Sequence, residues 1–205
     1  MSVLDDLKMI HDRDKQDALG VAEKQWQQLE HRFNVPKQSS PITEVVYAGM
    51  GGSPLGAELY KTWPGCNVPF EIVRDYSIPS YVGEKTLFIA ASYSGNTEET
   101  ISALEAALAK KAQIVVMSSG GELGRIAKEK SLLFLQLPTI TQPRYGALYL
   151  LKAQAEIMEA FGLAKSEVVA GLENEAKSLQ TITARFRPDV PTEQNPAKQM
   201  ALELV

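Results

Sequence analysis

Short apolar runs without charged residues alternate with longer amphipathic stretches through the middle of the 205-residue chain. Such runs are typical of parallel strands buried on both faces, whereas apolar positions three and four residues apart indicate helices. Strands are predicted at 44–48, 70–74, 86–91, 113–117 and 132–136. Helices are predicted between them, at 54–63, 97–110 and 123–130. This alternation predicts an α/β fold with a five-stranded parallel sheet, because right-handed crossovers place helices on both of its faces.

Helical patterns also flank the alternating region. The segment 4–33 is predicted to be helical with a break near 12–14, and two long helices are predicted at 145–161 and 166–186. The N-terminal prediction rests on an apolar stripe formed by Ala18, Val21, Ala22, Trp26 and Leu29. We therefore expect an N-terminal helical extension, a ligand-binding α/β domain and extra C-terminal helices, at 1–40, 41–165 and 166–205.

Composition narrows the class of protein. Hydrophobic residues make up 44% and charged residues 22% of the chain, which is typical of a globular domain, and the net charge is −4. The charges are interspersed, so we expect no nucleic-acid partner. No apolar run is long enough to span a bilayer and the N-terminus does not resemble a signal peptide, so we expect a cytoplasmic protein without a membrane partner.

Metal and disulfide chemistry receive little support from the sequence. Cys66 is the single cysteine, which excludes an internal disulfide and a cysteine-based zinc site. His11 and His31 are far apart in the charged N-terminal segment, where we expect exposed helix residues. We therefore predict no metal and no cofactor.

A hydroxyl-rich loop, 92–97, follows the predicted strand 86–91 and leads into a helix that opens at Thr97. Unpaired backbone N–H groups at a helix start attract anions, and the hydroxyls of Ser92, Ser94 and Thr97 can donate to phosphate oxygens. The alternative is an ordinary cap, because Asn96 and Glu99 fit the spacing of a capping box. Three hydroxyls around Gly95 exceed what one cap needs, so the loop favours a phosphorylated small molecule.

A glycine-rich loop, 49–54, follows the predicted strand 44–48. Its glycines allow close approach of a ligand to the backbone, and Ser53 followed by Pro54 is a typical helix start. Leu55 stands where the dinucleotide fingerprint needs its third glycine, which disfavours a nucleotide-binding protein. The alternative is a tight turn. Ligands bind at the carboxyl ends of parallel strands, so this loop and the hydroxyl loop together predict a sugar-phosphate pocket. The loop 118–121 either flanks this pocket or only turns the chain.

The loops resemble the sugar isomerase (SIS) domain family, and within it the bifunctional phosphoglucose/phosphomannose isomerases. Four motifs carry the resemblance, at Gly49–Ser53, Ser92–Thr100, Pro143–Arg144 and Val190–Gln199. The resemblance implies a three-layer sandwich around a five-stranded flavodoxin-like sheet, two such domains per chain and a homodimer. It implies metal-free interconversion of glucose 6-phosphate or mannose 6-phosphate with fructose 6-phosphate, so the expected substrate is a hexose 6-phosphate.

The resemblance also implies residue roles. Arg144 would stabilise the negative charge of the enediolate, although an exposed arginine can equally form a surface ion pair. The hydroxyl loop would hold the phosphate, with Gly51, Gly52 and Ser53 beside the sugar. The expected substrate-binding residues are therefore Gly51, Gly52, Ser53, Ser92, Ser94, Gly95, Asn96, Thr97 and Pro143, and the expected catalytic residue is Arg144.

The general base is expected outside this sequence. Proton transfer between C1 and C2 requires such a base, and the resemblance implies a glutamate in a second domain beyond residue 205. We therefore interpret the chain as the N-terminal half of an isomerase that is inactive by itself. Two alternatives stay open, a sugar-phosphate sensor and a small isomerase that completes its site by oligomerisation.

Overall fold

A computed structural model of the chain describes residues 3–62, 66–165 and 167–204. The strands are β1 (Glu44–Ala48), β2 (Phe70–Val73), β3 (Thr86–Ala91), β4 (Gln113–Ser118) and β5 (Leu133–Gln136). The α-helices are α1 (Leu7–Arg13), α2 (Ala18–Lys24), α3 (Leu55–Thr62), α4 (Glu98–Ala109), α5 (Gly121–Glu129), α6 (Ala147–Ala160), α7 (Glu167–Ala184) and α8 (Pro196–Glu203). Short 3₁₀ turns lie at Val3–Asp5, Gln25–Leu29, Pro143–Gly146 and Thr192–Gln194.

The five strands form one parallel sheet in the order β2-β1-β3-β4-β5. This is the flavodoxin-like order, and it confirms the fold class predicted from the sequence. The chain moves from β1 to β2 in one direction and from β3 to β4 and β5 in the other. Because parallel crossovers are right-handed, α3 covers one face of the sheet while α4 and α5 cover the opposite face.

The core lies on both faces of the sheet. All six residues of β3 are buried, as its uncharged sequence predicts. On one face, Val46, Phe88 and Val116 pack with Leu104 of α4 and Leu123 of α5. The alternate strand residues are buried as well, since successive side chains of a strand point to opposite faces.

Gly56 lets α3 and α6 pack backbone to backbone. A Cβ atom added at Gly56 would lie 2.4 Å from the carbonyl carbon of Leu150 and from the amide nitrogen of Leu151. Real Cβ contacts are not that short, so only glycine permits this crossing. None of the helices in the described ranges combines the length and apolarity needed to cross a membrane.

The N-terminal prediction is wrong in part. Helical structure there ends with the 3₁₀ turn at Leu29, and His31 lies beyond it, half-buried against the rings of Phe33 and Tyr149 at centroid distances of 4.6 and 5.2 Å. The expectation of an exposed helix residue holds for His11 but not for His31. The predicted break near 12–14 is confirmed, because the Asp14 carboxylate accepts hydrogen bonds from the first amides of α2.

The fold divides into two compact units, of which the sheet unit is His31–Gly171. The other unit consists of the described residues of Met1–Glu30 and Leu172–Val205. In it, the buried Lys198 ammonium donates to Asp5 Oδ1 at 3.0 Å and to the carbonyl oxygens of Pro188 and Val190 at 2.8 Å. The motif at Val190–Gln199 therefore contains a structural ion pair that joins residues close to both ends of the chain.

Candidate active site

The carboxyl ends of β1 and β3 diverge at the point where the strand order reverses. The Gly49 amide donates to Val73 O of β2 at 3.1 Å, whereas the Ser92 amide donates to Met117 O of β4 at 3.1 Å. The chain leaving β1 therefore follows β2 and the chain leaving β3 follows β4. This divergence marks the topological switch point, which we call the crevice and which is where parallel sheets of this type bind ligands.

Three hydroxyl groups converge on the β3 side of the crevice. Ser92 Oγ lies 2.7 Å from Thr97 Oγ1 and 3.4 Å from Ser94 Oγ. The amide of Gly95 donates to Ser92 Oγ at 3.2 Å, and the amide of Asn96 donates to Ser94 Oγ at 3.3 Å. Ser92 is buried, Thr97 is half-buried and Ser94 is exposed, so the cluster extends from the core to the surface.

The alternative of a capping box at Asn96 and Glu99 is not found in the structure. Thr97 is the N-cap of α4, and its side chain forms no capping hydrogen bond. Asn96 Oδ1 instead accepts a hydrogen bond at 2.9 Å from the amide of Glu122, in the first turn of α5. Because Asn96 serves the other helix, the first-turn amides of α4 have no acceptor among the described residues and remain donors for an anion.

The acidic residues of the first turn of α4 lie beside an exposed tyrosine. Tyr76, in the β2–β3 connection, donates from its phenol to Glu98 Oε2 at 3.4 Å. The nearby Glu99 carboxylate, partial burial and the Glu98 carboxylate raise the pKa of the Tyr76 phenol. Glu98 is therefore directed toward the β2–β3 connection, where its negative charge repels an anion at the hydroxyl cluster less strongly.

The glycine-rich loop forms the β1 side of the crevice. Gly51 is exposed with φ +57°, a conformation that favours glycine. Gly52 lies beside the backbone of Arg144. Ser53 is buried, and its Oγ accepts a hydrogen bond at 3.2 Å from the Tyr93 amide. Its carbonyl accepts at 2.8 Å from the phenol of Tyr47, whose pKa is raised by burial. Ser53 therefore joins the two loops, and its hydroxyl already has a partner.

Arg144 lies at the mouth of the crevice, in the 3₁₀ turn that Pro143 opens. A Cβ atom added at Gly52 would lie 3.7 Å from the Cα and amide nitrogen of Arg144, so the two backbones approach closely. The guanidinium is exposed and forms no ion pair with any carboxylate in the described part of the chain. The alternative of a surface ion pair thus finds no partner in these residues.

The loop Ser118–Gly121 braces the hydroxyl loop. The amide and hydroxyl of Ser119 both donate to Tyr93 O, at 2.9 and 2.7 Å, and Leu123 N donates to Gly95 O at 2.9 Å. A Cβ atom at Gly95, where φ is +74°, would lie 1.9 Å from Gly120 O. Of the two interpretations of this loop, the structure favours a flanking role over a turn alone.

The structure therefore brings together all the residues that the sequence predicts for the site. They are Gly51, Gly52, Ser53, Ser92, Ser94, Gly95, Asn96, Thr97, Pro143 and Arg144, and they occupy three linked loops at one edge of the sheet. No pattern in the sequence predicted a role for Tyr93, although an aromatic ring with a polar end between two serines was a usable signal. Across 3–62, 66–165 and 167–204, no three His, Cys, Asp or Glu side chains cluster as metal ligands.

The chemistry of these groups is one-sided. Hydroxyls, free helix amides and a guanidinium all donate hydrogen bonds, so they can hold an anion and stabilise negative charge. None of the ten is a carboxylate or an imidazole. The site can therefore bind and polarise a phosphorylated ligand, whereas removing a proton from carbon would require another group.

Curated relatives share this sequence over most of its length. The chain is 37% identical over 174 residues to the bifunctional phosphoglucose/phosphomannose isomerase of Caldicellulosiruptor bescii, an alignment that covers 84% of the chain and 51% of the relative. The enzyme of the same name from Thermoplasma volcanium is 41% identical over 120 residues, covering 58% and 38%. A D-glucosamine-6-phosphate 4-epimerase of Sulfolobus acidocaldarius is 31% identical, covering 70% and 47%. The chain spans about half the length of the first of these relatives.

Solved structures share the fold at lower identity. Tagatose-6-phosphate ketose/aldose isomerase from Escherichia coli has a TM-score of 0.54 and 16% identity, covering 85% of this chain and 49% of its own. The C-terminal domain of glucosamine-fructose-6-phosphate aminotransferase from Francisella tularensis has a TM-score of 0.60 and 14% identity, covering 85% and 57%. No protein-family profile matches the chain. By sequence, the chain is a homologue of the bifunctional phosphoglucose/phosphomannose isomerases that spans about half their length, and it shares its fold with the solved structures named above.

Proposed function

We propose that this chain is the hexose 6-phosphate binding domain of an aldose–ketose isomerase that interconverts glucose 6-phosphate or mannose 6-phosphate with fructose 6-phosphate. One observation carries the proposal: three hydroxyls converge beside a helix N-terminus whose first-turn amides have no acceptor among the described residues. All the residues involved lie in 41–165, which we propose as the binding domain. By the family resemblance, we propose that it acts in the cytoplasm within a homodimer.

The phosphate is proposed to sit between the hydroxyl cluster and the first turn of α4. Ser94 is exposed and Thr97 is half-buried, so both hydroxyls can turn toward an oxygen of the ligand. The positive end of the helix dipole favours the charge of a phosphate at this place. The protein has a net charge of −4, so these local donors replace a broad positive field.

The sugar is proposed to extend from the phosphate toward Arg144, past Gly51 and Gly52. An open-chain hexose that loses a proton at C1 or C2 passes through an enediolate, whose oxygens carry negative charge. The Arg144 guanidinium has no carboxylate partner in the described residues, and a fixed cation next to this charge lowers the barrier. Its role would therefore be electrostatic.

Proton transfer is the step that this chain is proposed to lack. None of the proposed site residues is a carboxylate or an imidazole, and the carboxylate of the neighbouring Glu98 accepts a hydrogen bond from the phenol of Tyr76. The D-glucosamine-6-phosphate 4-epimerase, a homologue named for a different reaction, is consistent with a shared half that binds a phosphosugar while other residues determine the chemistry. We propose that the base lies in a further domain of the whole protein.

The experiment measures binding and turnover on the same purified chain. Calorimetry with fructose 6-phosphate is expected to give weak saturable binding, while unphosphorylated fructose gives none. A coupled assay for glucose 6-phosphate is expected to give negligible turnover. No binding of fructose 6-phosphate would refute the site, and turnover at the rate of a complete isomerase would refute the proposed absence of a base.

A further inference from the structure

Tyr93 bonds to three segments of the candidate site besides its own. Its amide donates to Ser53 Oγ of the glycine-rich loop at 3.2 Å, and its carbonyl accepts two hydrogen bonds from Ser119. Its phenol reaches across to the segment 138–142, which connects β5 to the turn with Arg144. Backbone and side chain of this one residue thus contact three of the segments around the crevice, besides its own.

The Tyr93 phenol replaces secondary structure in the segment 138–142. The phenol oxygen accepts from the amide of Ile140 at 2.5 Å and lies 3.0 Å from Pro138 O, to which it can donate its proton. The phenol also lies 3.4 Å from Ile140 O, and within the described chain residues 138–141 form no hydrogen bond other than these to Tyr93. Residues 138–141 form no strand or helix, so this phenol is their polar anchor.

The anchored segment packs directly on the turn that holds Arg144. A Cβ atom at the buried Gly146 would lie 2.5 Å from Ile140 Cδ1, so the isoleucine side chain covers the end of that turn. On the other side, Gly52 approaches the backbone of Arg144. Arg144 is therefore placed between the glycine-rich loop and a segment that depends on Tyr93.

We propose that Tyr93 is a positioning residue, whose phenol holds the segment 138–142 and thereby fixes Arg144 against the reacting end of the sugar. This role rests on the proposed function, because it gives Tyr93 a task only through Arg144. It concerns the sugar end of the ligand and not the phosphate end. The phenol bonds to Pro138 and Ile140, which lie 45 and 47 positions after Tyr93 in the chain, and not to the hydroxyls of the cluster.

The test compares two ligands that use different parts of the site. Arabinonate 5-phosphate carries a carboxylate in place of the enediolate oxygens, whereas inorganic phosphate occupies only the phosphate position. Tyr93→Phe is expected to weaken the binding of arabinonate 5-phosphate about tenfold, the effect of losing one hydrogen bond, and to leave the binding of inorganic phosphate unchanged. Tyr81→Phe is the matched control, because its exposed phenol pairs with Glu71, outside these loops.

A double-mutant cycle tests whether Tyr93 acts through Arg144. Arg144→Gln should weaken the binding of arabinonate 5-phosphate, and adding Tyr93→Phe to it should cause no further loss of affinity. Equal losses for both ligands, or additive losses in the double variant, would overturn the positioning role in favour of a general structural one. Unchanged affinity of Tyr93→Phe for arabinonate 5-phosphate would also overturn it.

Hydrogen exchange separates this proposal from the proposed function. Tyr93→Phe removes the acceptor of the Ile140 amide, so that amide should exchange faster, as should the Tyr145 amide, which donates to Gln142 O at 3.0 Å. Wild-type protein that binds neither ligand would refute the proposed function alone. Unchanged exchange at Ile140 and Tyr145 would refute the anchoring by Tyr93, whatever the protein binds.

Discussion

Removing two hydroxyls from the cluster tests the proposed phosphate site most directly. In Ser94→Ala/Thr97→Ala, two donors to a charged phosphate are lost, each worth about 1.5–3 kcal/mol. Together they correspond to about 3–6 kcal/mol, or a Kd raised at least roughly a hundredfold. Because Ser94 is exposed and water can replace its hydroxyl, we expect the lower end of this range. Calorimetry with fructose 6-phosphate should then detect no binding.

The fold should survive this double substitution. Thr97 does not cap α4 through its side chain, and Ser92 Oγ keeps the hydrogen bond from the Gly95 amide. Ser102→Ala is the matched control, since this hydroxyl of α4 donates to Tyr76 O, away from the cluster. A folded double variant that binds fructose 6-phosphate as tightly as the wild type would remove the hydroxyl loop from the site.

Two further predictions concern stability. Gly56→Ala should lower the free energy of unfolding by about 1–3 kcal/mol or more, because the added Cβ meets backbone atoms of α6. The control Gly83→Ala, whose added Cβ would have its nearest contact at 3.8 Å, should be nearly neutral, and equal urea midpoints for the two variants would contradict the tight crossing. Lys198 and Thr192 hold the pKa of Asp5 below its usual 3.8, so the stabilisation is present above that pH and lost as pH falls through the lower folded-state pKa. Asp5→Asn should lower the melting temperature at pH 7 and reduce the difference from wild type in acid, and a pH-independent difference would contradict the ion pair.

Local pattern was sufficient to predict the sheet and its loops. The uncharged residues of β3 and the glycines after β1 can be recognised without tertiary information. A parallel topology then places the loops that follow these strands at the carboxyl edge of the sheet. Arg144 was predicted as part of the site through the family resemblance and not through a local pattern. The helical pattern was extended too far at the N-terminus, since nothing local marks the end at Leu29 before His31.

Partners far apart in the chain could not be predicted in this way. Asn96 has the residue type and spacing of a local cap, yet its oxygen bonds to the amide of Glu122, 26 residues later. The phenol of Tyr93 finds Ile140 at a separation of 47 residues. Both bonds depend on how neighbouring loops meet after the sheet has formed, and no period along the chain encodes that distance.

The hydrogen bonds among Ser92, Ser94 and Thr97 have an entropic consequence for ligand binding. Each hydroxyl rotor in the cluster is already restricted by its neighbours, and the Gly95 amide fixes the innermost one. When a phosphate binds there, the hydroxyls exchange their present oxygen acceptors for phosphate oxygens, and few side chains become newly ordered. The affinity of such a site is reduced little by loss of side-chain freedom, so even a small number of neutral donors can hold a charged ligand.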